Sequence, residues 1–241
     1  MIPVSYFQTD ARWKNVSYSA PGESTTIGKA GCGPTCMAMV IASLKDKKIT
    51  PKDTCAWALK KGYKALKSGT YYTYFVPQGK AYGIEVERLN TSNIYKQKTA
   101  EAEKIRNKAV SELKAGNWII ACMGKGTWTS SGHYVLCYDV DVKKNIIYIK
   151  DPASSKTARI KGDLTTWKNE VKYLWKVVIP EDEEDEGEEE VKYYENIKEI
   201  PDFGKKVVQK LIDNGCFSDK NNLHLSYDMI RMLVILDRAN K

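Results

Sequence analysis

Nine of the ten residues 181–190 are acidic and none is basic. A block of like charge repels itself and cannot enter a core, so it reads as a solvated linker; the other reading is a strand of charge folded back over a basic surface. The 241-residue chain is thereby expected to fold as two pieces: a large domain over 1–180 and a small helical module over 201–241, with 181–200 as the acidic linker. Residues 1–180 carry 29 Lys/Arg against 14 Asp/Glu, a net +15, whereas residues 191–241 carry nine against seven. A domain this basic favours a polyanionic partner such as nucleic acid, an anionic membrane surface or an anionic cell wall.

The chain is 42% hydrophobic and 10% aromatic, ordinary for a soluble globular protein. No stretch of 18 apolar residues is present, so no membrane insertion is expected. The N-terminus lacks the basic and apolar regions of a secretory signal. The expectation is synthesis in a host cytoplasm, with some other route of release if the site of action is outside. Six cysteines, two histidines and no CxxC pair argue against structural zinc, and no metal or cofactor is expected. The cysteines read as reduced thiols, at most one of them reactive, with Cys122 and Cys137 buried in apolar runs.

The candidate reactive thiol is Cys32, in Gly31-Cys32-Gly33-Pro34-Thr35. Proline is tolerated only in a first helical turn, so Pro34 starts a helix at Cys32 or Gly33. A sulfur there lies beside unpaired N–H groups at the positive end of the helix dipole, where a thiol ionises more readily. Gly31 and Gly33 would let a substrate backbone come close. The plainer reading is a buried cysteine at a helix start.

The helix should run to Leu44, burying Met37, Val40, Ile41 and Leu44 as one stripe, with Cys36 as core packing. Upstream, residues 3–13 open with a strand-like piece. Gln8 follows, a surface residue or a side-chain amide able to donate to an oxyanion. Thr50 caps a second helix with Pro51 at its first position. The aromatic stretch 69–75 reads equally as core and loop packing or as the wall of a substrate groove. Residues 81–89 alternate like a strand, and a Lys- and Glu-rich helix spans 99–115. Three apolar strands follow at 118–123, 132–140 and 145–152, the last two joined at Lys143-Lys144-Asn145. Trp167 and residues 174–179 close the domain. In the tail, helices are expected over 202–214, stopped by Gly215, and from an N-cap at Ser226. Two helices bury little alone, so the tail should dock on the large domain, a copy of itself or a partner.

His133 opens one strand and Asp151 ends the next. A hairpin sets the start of one strand beside the end of the other, so the two should meet. A carboxylate there would hold the imidazole in one tautomer, and a helix-start thiol packed against that strand would complete a Cys–His pair.

These motifs, Tyr6-Phe7-Gln8 with Arg12-Trp13, the Cys32 turn, Gly132-His133-Tyr134 and Lys150-Asp151-Pro152, resemble the papain-like cysteine peptidases related to those that cleave double-glycine bacteriocin leaders. The likeness covers about residues 1–180 and is greatest to a branch of stand-alone bacterial and phage proteins. It implies an α+β papain-like fold, a nucleophile-bearing helix packed on an antiparallel sheet, with a small helical module after it. It also implies Cys32 as nucleophile, His133 as base, Asp151 as orienting acid and Gln8 as oxyanion donor. The tail resembles a C-terminal module of phage lysins acting on Gram-positive hosts, for wall binding or homo-oligomer formation.

The resulting expectation is an endolysin-like hydrolase cutting a peptide or amide bond of Gram-positive peptidoglycan, acting at the cell wall. A processing protease for a peptide leader shares the chemistry but lacks an attached transporter segment. A nucleic-acid binder is disfavoured because no groove-reading motif is present. A papain-like fold that only binds is the remaining alternative.

Overall fold

The computed structural model describes residues 1–180 and 192–239. The acidic block 181–190 therefore lies outside the described residues. The chain divides into two compact units, Met1–Ile179 and Pro180–Lys241.

The first unit contains α1 (Ile27–Ala30), α2 (Cys32–Leu44), α3 (Pro51–Lys60), α4 (Phe75–Ala81), β1 (Val86–Arg88) and α5 (Ala100–Lys114). It continues with β2 (Trp118–Met123), β3 (His133–Asp141), β4 (Ile146–Lys150), α6 (Thr157–Ile160), β5 (Lys161–Asp163), α7 (Leu164–Glu170) and β6 (Val171–Val177). The six strands form one antiparallel sheet in the order β1-β6-β2-β3-β4-β5. This is the expected α+β papain-like architecture.

Strand alternation explains the layering. Ile120, Cys122, Leu136, Trp175 and Val177 face one core, which they share with α2, α3 and α4. Ile119, Ala121, Val135, Cys137 and Leu174 face the opposite core, under α5 and α7. Both faces are covered, so β2 is buried at every position.

The helix α2 starts at Cys32 and ends at Leu44, as Pro34 dictates. Its burial is wider than a stripe: residues 33 to 42 are all buried, because the helix is wedged between the sheet and α3. Thr50 caps α3, its amide and hydroxyl both donating to Asp53 Oδ2 at 2.8 and 2.6 Å. Thr99 Oγ1 accepts from Ala102 N to start α5.

Three local expectations need correction. The strand-like opening at 3–13 is irregular chain: Val4 N donates to Ser43 Oγ on α2 and Gln8 N to Pro152 O, so its backbone is satisfied without a sheet edge. The strand over 81–89 shrinks to β1, because residues 75–81 form α4. That helix carries Gly79, which β1 requires: a Cβ there would lie 2.5 Å from Val86 Cγ2 and 2.8 Å from Ile84 O. Gly31 and Gly33 do not clear space for substrate; both are buried by the chain itself. A Cβ on Gly31 would lie 2.6 Å from Ile27 O, and one on Gly33 3.2 Å from the Tyr134 ring.

The second unit pairs β7 (Tyr193–Tyr194) with β8 (Leu225–Ser226) and packs α8 (Asp202–Asp213) on α9 (Tyr227–Ala239). Gly215, with φ +70°, stands just past the end of α8, and Ser226 caps the start of α9, its Oγ accepting from Met229 N. The folded module begins earlier than residue 201, since Tyr194, Ile197 and Ile200 pack on Val208, Leu225 and Ile230. The two-strand pairing across α8 leaves no signal in the sequence, because two-residue strands carry no alternating pattern. Among the described residues, no helix is long and apolar enough to cross a membrane.

Candidate active site

Cys32 is the first residue of α2, half-buried at the edge of a cleft of about 810 Å³ that His133 also lines. The helix delivers the sulfur to β3, whose first residue is His133. Burial alone would push the Cys32 thiol up. The hydrogen bond and charge of His133, with the backbone amides of Tyr134 and Gly33, outweigh it and bring the thiol below its ordinary value.

His133 shows the complementary shift. Burial would lower its pKa, but hydrogen bonds to Asp151 and Cys32 raise it to about 9. The two shifts run in the directions that favour a thiolate–imidazolium pair.

The hairpin does what the sequence pattern requires. Leu136 pairs with Lys150, so Asp151, one residue past β4, reaches back toward the start of β3. Its Oδ1 accepts from His133 Nε2 at 2.7 Å and from Ala153 N at 2.8 Å. With Nε2 committed to Asp151, the ring is oriented with Nδ1 left for the sulfur. Both Asp151 and His133 are buried, at 3% and 7% exposure, which shelters this contact from water.

Arg159 was not singled out from the sequence. Its Nε donates to Asp151 Oδ2 at 2.6 Å, so both carboxylate oxygens are occupied. Arg159 lies in the one-turn helix α6, fixed through its own carbonyl, which accepts from Trp128 Nε1. No periodicity marks such a residue. The only signal is an arginine eight residues after an expected catalytic carboxylate.

Gln8 is buried beside the same junction. Its backbone amide donates to Pro152 O, and its side-chain Nε2 donates to Gly28 O at 2.8 Å. One amide hydrogen is thus used to fix the side chain and the second is left over.

The aromatic stretch divides between its two readings. Tyr74 and Phe75 are fully buried, whereas Tyr71 and Tyr72 line the cleft. Tyr72 leans on Tyr173 of β6 with ring centroids 4.3 Å apart. The floor is braced by Thr70, whose hydroxyl meets Tyr18 OH at 2.7 Å and whose carbonyl accepts from Tyr134 OH at 3.0 Å. Cys36, Cys55, Cys122 and Cys137 are buried thiols, each pushed up by burial. Among the described residues, no group of His, Cys, Asp and Glu could hold a metal ion.

A helix-borne thiol against a strand-borne imidazole, over an antiparallel sheet, defines a papain-like cysteine peptidase. The chain matches the Peptidase_C39 like family over residues 5–178 and belongs to it. Among solved structures it is similar to the peptidase domain of Streptococcus ComA, a bi-functional ABC transporter involved in a quorum-sensing pathway. The two are 18% identical with a TM-score of 0.37, over 63% of this chain and 93% of that one. No curated protein matches the chain.

Proposed function

We propose that this cysteine peptidase is a phage-type endolysin that cuts a peptide or amide bond in the peptidoglycan of Gram-positive bacteria, acting at the wall. The observation that carries the reading is the Cys32–His133–Asp151 line, its imidazole and carboxylate buried and its sulfur opening onto a cleft, in a unit of net charge +15. A wall rich in phosphate polymers would concentrate such a unit on its surface. The separate C-terminal module exposes Met229, Met232, Ile235 and Leu236 on α9, an apolar face suited to the wall or to a second copy.

In this reading His133 holds the proton of Cys32, and the thiolate attacks the substrate carbonyl carbon. The oxyanion is met by the spare N–H of Gln8 and by the Cys32 backbone N–H, which has no partner inside α2 because it opens that helix. His133 then protonates the leaving amine, and water, deprotonated by His133, releases the acyl group from sulfur. Asp151 keeps the ring in the tautomer this needs, and Arg159 keeps Asp151 in place.

The test is mass spectrometry of fragments released from purified Gram-positive peptidoglycan. The full chain should release fragments bearing new amino termini, and Cys32→Ala should release none while retaining its circular-dichroism spectrum. Lysis by Cys32→Ala would contradict the reading. Cleavage of a double-glycine leader peptide with intact wall would move the substrate to the leader class.

A further inference from the structure

The charged groups lining the cleft, apart from the reacting pair, are Glu23, Lys29, Lys67 and Lys172. Glu23 is the only acid among them, and it is wholly engaged within the chain. Its Oε1 accepts from Ala20 N at 2.8 Å and from Lys64 Nζ, and its Oε2 accepts from Lys67 N at 2.6 Å. Lys64 is itself 5% exposed and donates to Ala65 O and Ser68 O, each at 2.7 Å. This buried pair cancels its own charge and ties the loop around residue 67 to the loop around residue 23.

The consequence falls on Lys67. Its φ is +53°, a left-handed conformation rarely adopted by a residue with a side chain, and the Glu23 carboxylate holds its amide. A lysine strained in this way at the edge of a cleft is held there by its surroundings rather than by local preference. Lys29 arrives from the last turn of α1. Lys172 arrives from β6, where its carbonyl accepts from Asn90 Nδ2 and Ile94 N. Among the described residues, none of the three makes an ion pair with a carboxylate. Three separate elements thus bring positive charge to the cleft in which Cys32 lies, with no paired carboxylate among the described residues.

We propose that Lys29, Lys67 and Lys172 form a carboxylate-reading rim, and that the substrate is a peptide bearing free carboxylates within a few residues of the bond that Cys32 attacks. This deepens the assignment of Cys32 as nucleophile and rests on it. Glu23 and Lys64 act as positioning residues that hold Lys67 at the rim. The lysines would act on binding, drawing anionic substrate in and setting its register against the sulfur.

The first test needs no knowledge of the substrate. Iodoacetate and iodoacetamide alkylate a thiolate by the same displacement of iodide and differ in one negative charge. The ratio of their rates at Cys32 is read by mass spectrometry on the full chain, with exposed Cys216 as the internal reference. His133 contributes the same charge in every variant, so the lysine variants isolate the rim. A unit charge at ~8 Å in water is worth about a twofold change in rate, so three give about eightfold. Each single substitution, Lys29→Gln, Lys67→Gln or Lys172→Gln, should lower the iodoacetate preference about twofold, and the triple variant about eightfold, with Cys216 unchanged. Salt at about 0.5 M should remove most of the preference. Singles and triple that leave the ratio unchanged would overturn the proposal, and the singles suffice if the triple variant fails to fold.

The second test compares peptidoglycan-derived stem peptides with their carboxylates free or chemically amidated. Amidation should raise KM at least fivefold for the unaltered chain, with little change in kcat, and should have no such effect on the triple variant. Stem peptides left uncut beside a retained iodoacetate preference would refute the wall substrate and leave the rim standing. Efficient cleavage indifferent to amidation would refute the rim and leave the wall substrate standing.

Discussion

The first turn of α2 and the turn that follows it hold the same residue type in opposite chemical states. Cys32 opens the helix at the cleft, and Cys36, one turn on, is fully buried in the core beneath. Burial acts against the thiolate at both. At Cys32 the imidazole of His133 and two backbone amides reverse it; at Cys36 nothing does, and the negative charge at Cys32 adds to the penalty. Reactivity here belongs to the end of the helix and its partners on β3, and the cysteine merely occupies that place.

The comparison is broken most sharply by exchanging the two thiols for alanine. Cys32→Ala should cost at least about 10⁴-fold in kcat for peptide cleavage. Cys36→Ala should leave kcat within about twofold and lower unfolding free energy by about 1–2 kcal/mol, the cost of a small core cavity. Denaturant melts beside turnover assays separate the two, and equal loss of activity in both variants would dissolve the distinction.

Next in size is the partner on β4. Asp151→Asn keeps the shape but loses the charge that orients His133, and kcat should fall on the order of 10²–10⁴-fold with KM little altered. Gly31→Ala acts on the helix start without touching a reacting atom. Its methyl group would press on Ile27 O and Cγ2, so a loss of about 2–3 kcal/mol in thermal or urea unfolding is expected.

The smallest effect is in the pH profile, where the signs run opposite ways. His133 has its pKa raised, so the stability it gains from its partners is complete below the ordinary imidazole value of 6.5 and is lost as pH climbs through about 9. Cys32 has its pKa lowered, so its contribution is present above the ordinary thiol value of 9.0 and is lost as pH falls through the lowered one. Turnover should therefore hold across neutral pH and decline as pH passes about 9. In Asp151→Asn the declining limb should move to lower pH, because one of the two hydrogen bonds that hold the proton on His133 is altered.

Much of this site was legible in the chain. Pro34 placed the helix start, and the turn at Lys143-Lys144-Asn145 placed Asp151 beside His133, because both are consequences of local geometry. Harder to see was what depends on distant pairing. The strand β6 inserts between β1 and β2, and it alone brings Lys172 to the cleft and Tyr173 against the cleft-lining Tyr72. Helix α4 was hidden by Pro77 and Gly79, both poor helix formers, and exists because Gly79 lets β1 approach. Gly31 and Gly33 invited a substrate-based reading, since a glycine's freedom does not say whether a ligand or the chain fills the space.

The central claim is that Cys32 is ionised at neutral pH because His133 is bound to it. Its most direct test is the pH dependence of iodoacetamide alkylation at Cys32, resolved from Cys216 by mass spectrometry, in the unaltered chain and in His133→Ala. Cys32 should react at least tenfold faster than Cys216 at pH 6.5, and that advantage should vanish in His133→Ala. A Cys32 that stays as slow as Cys216 until pH approaches 9, or that keeps its advantage without His133, would contradict the account.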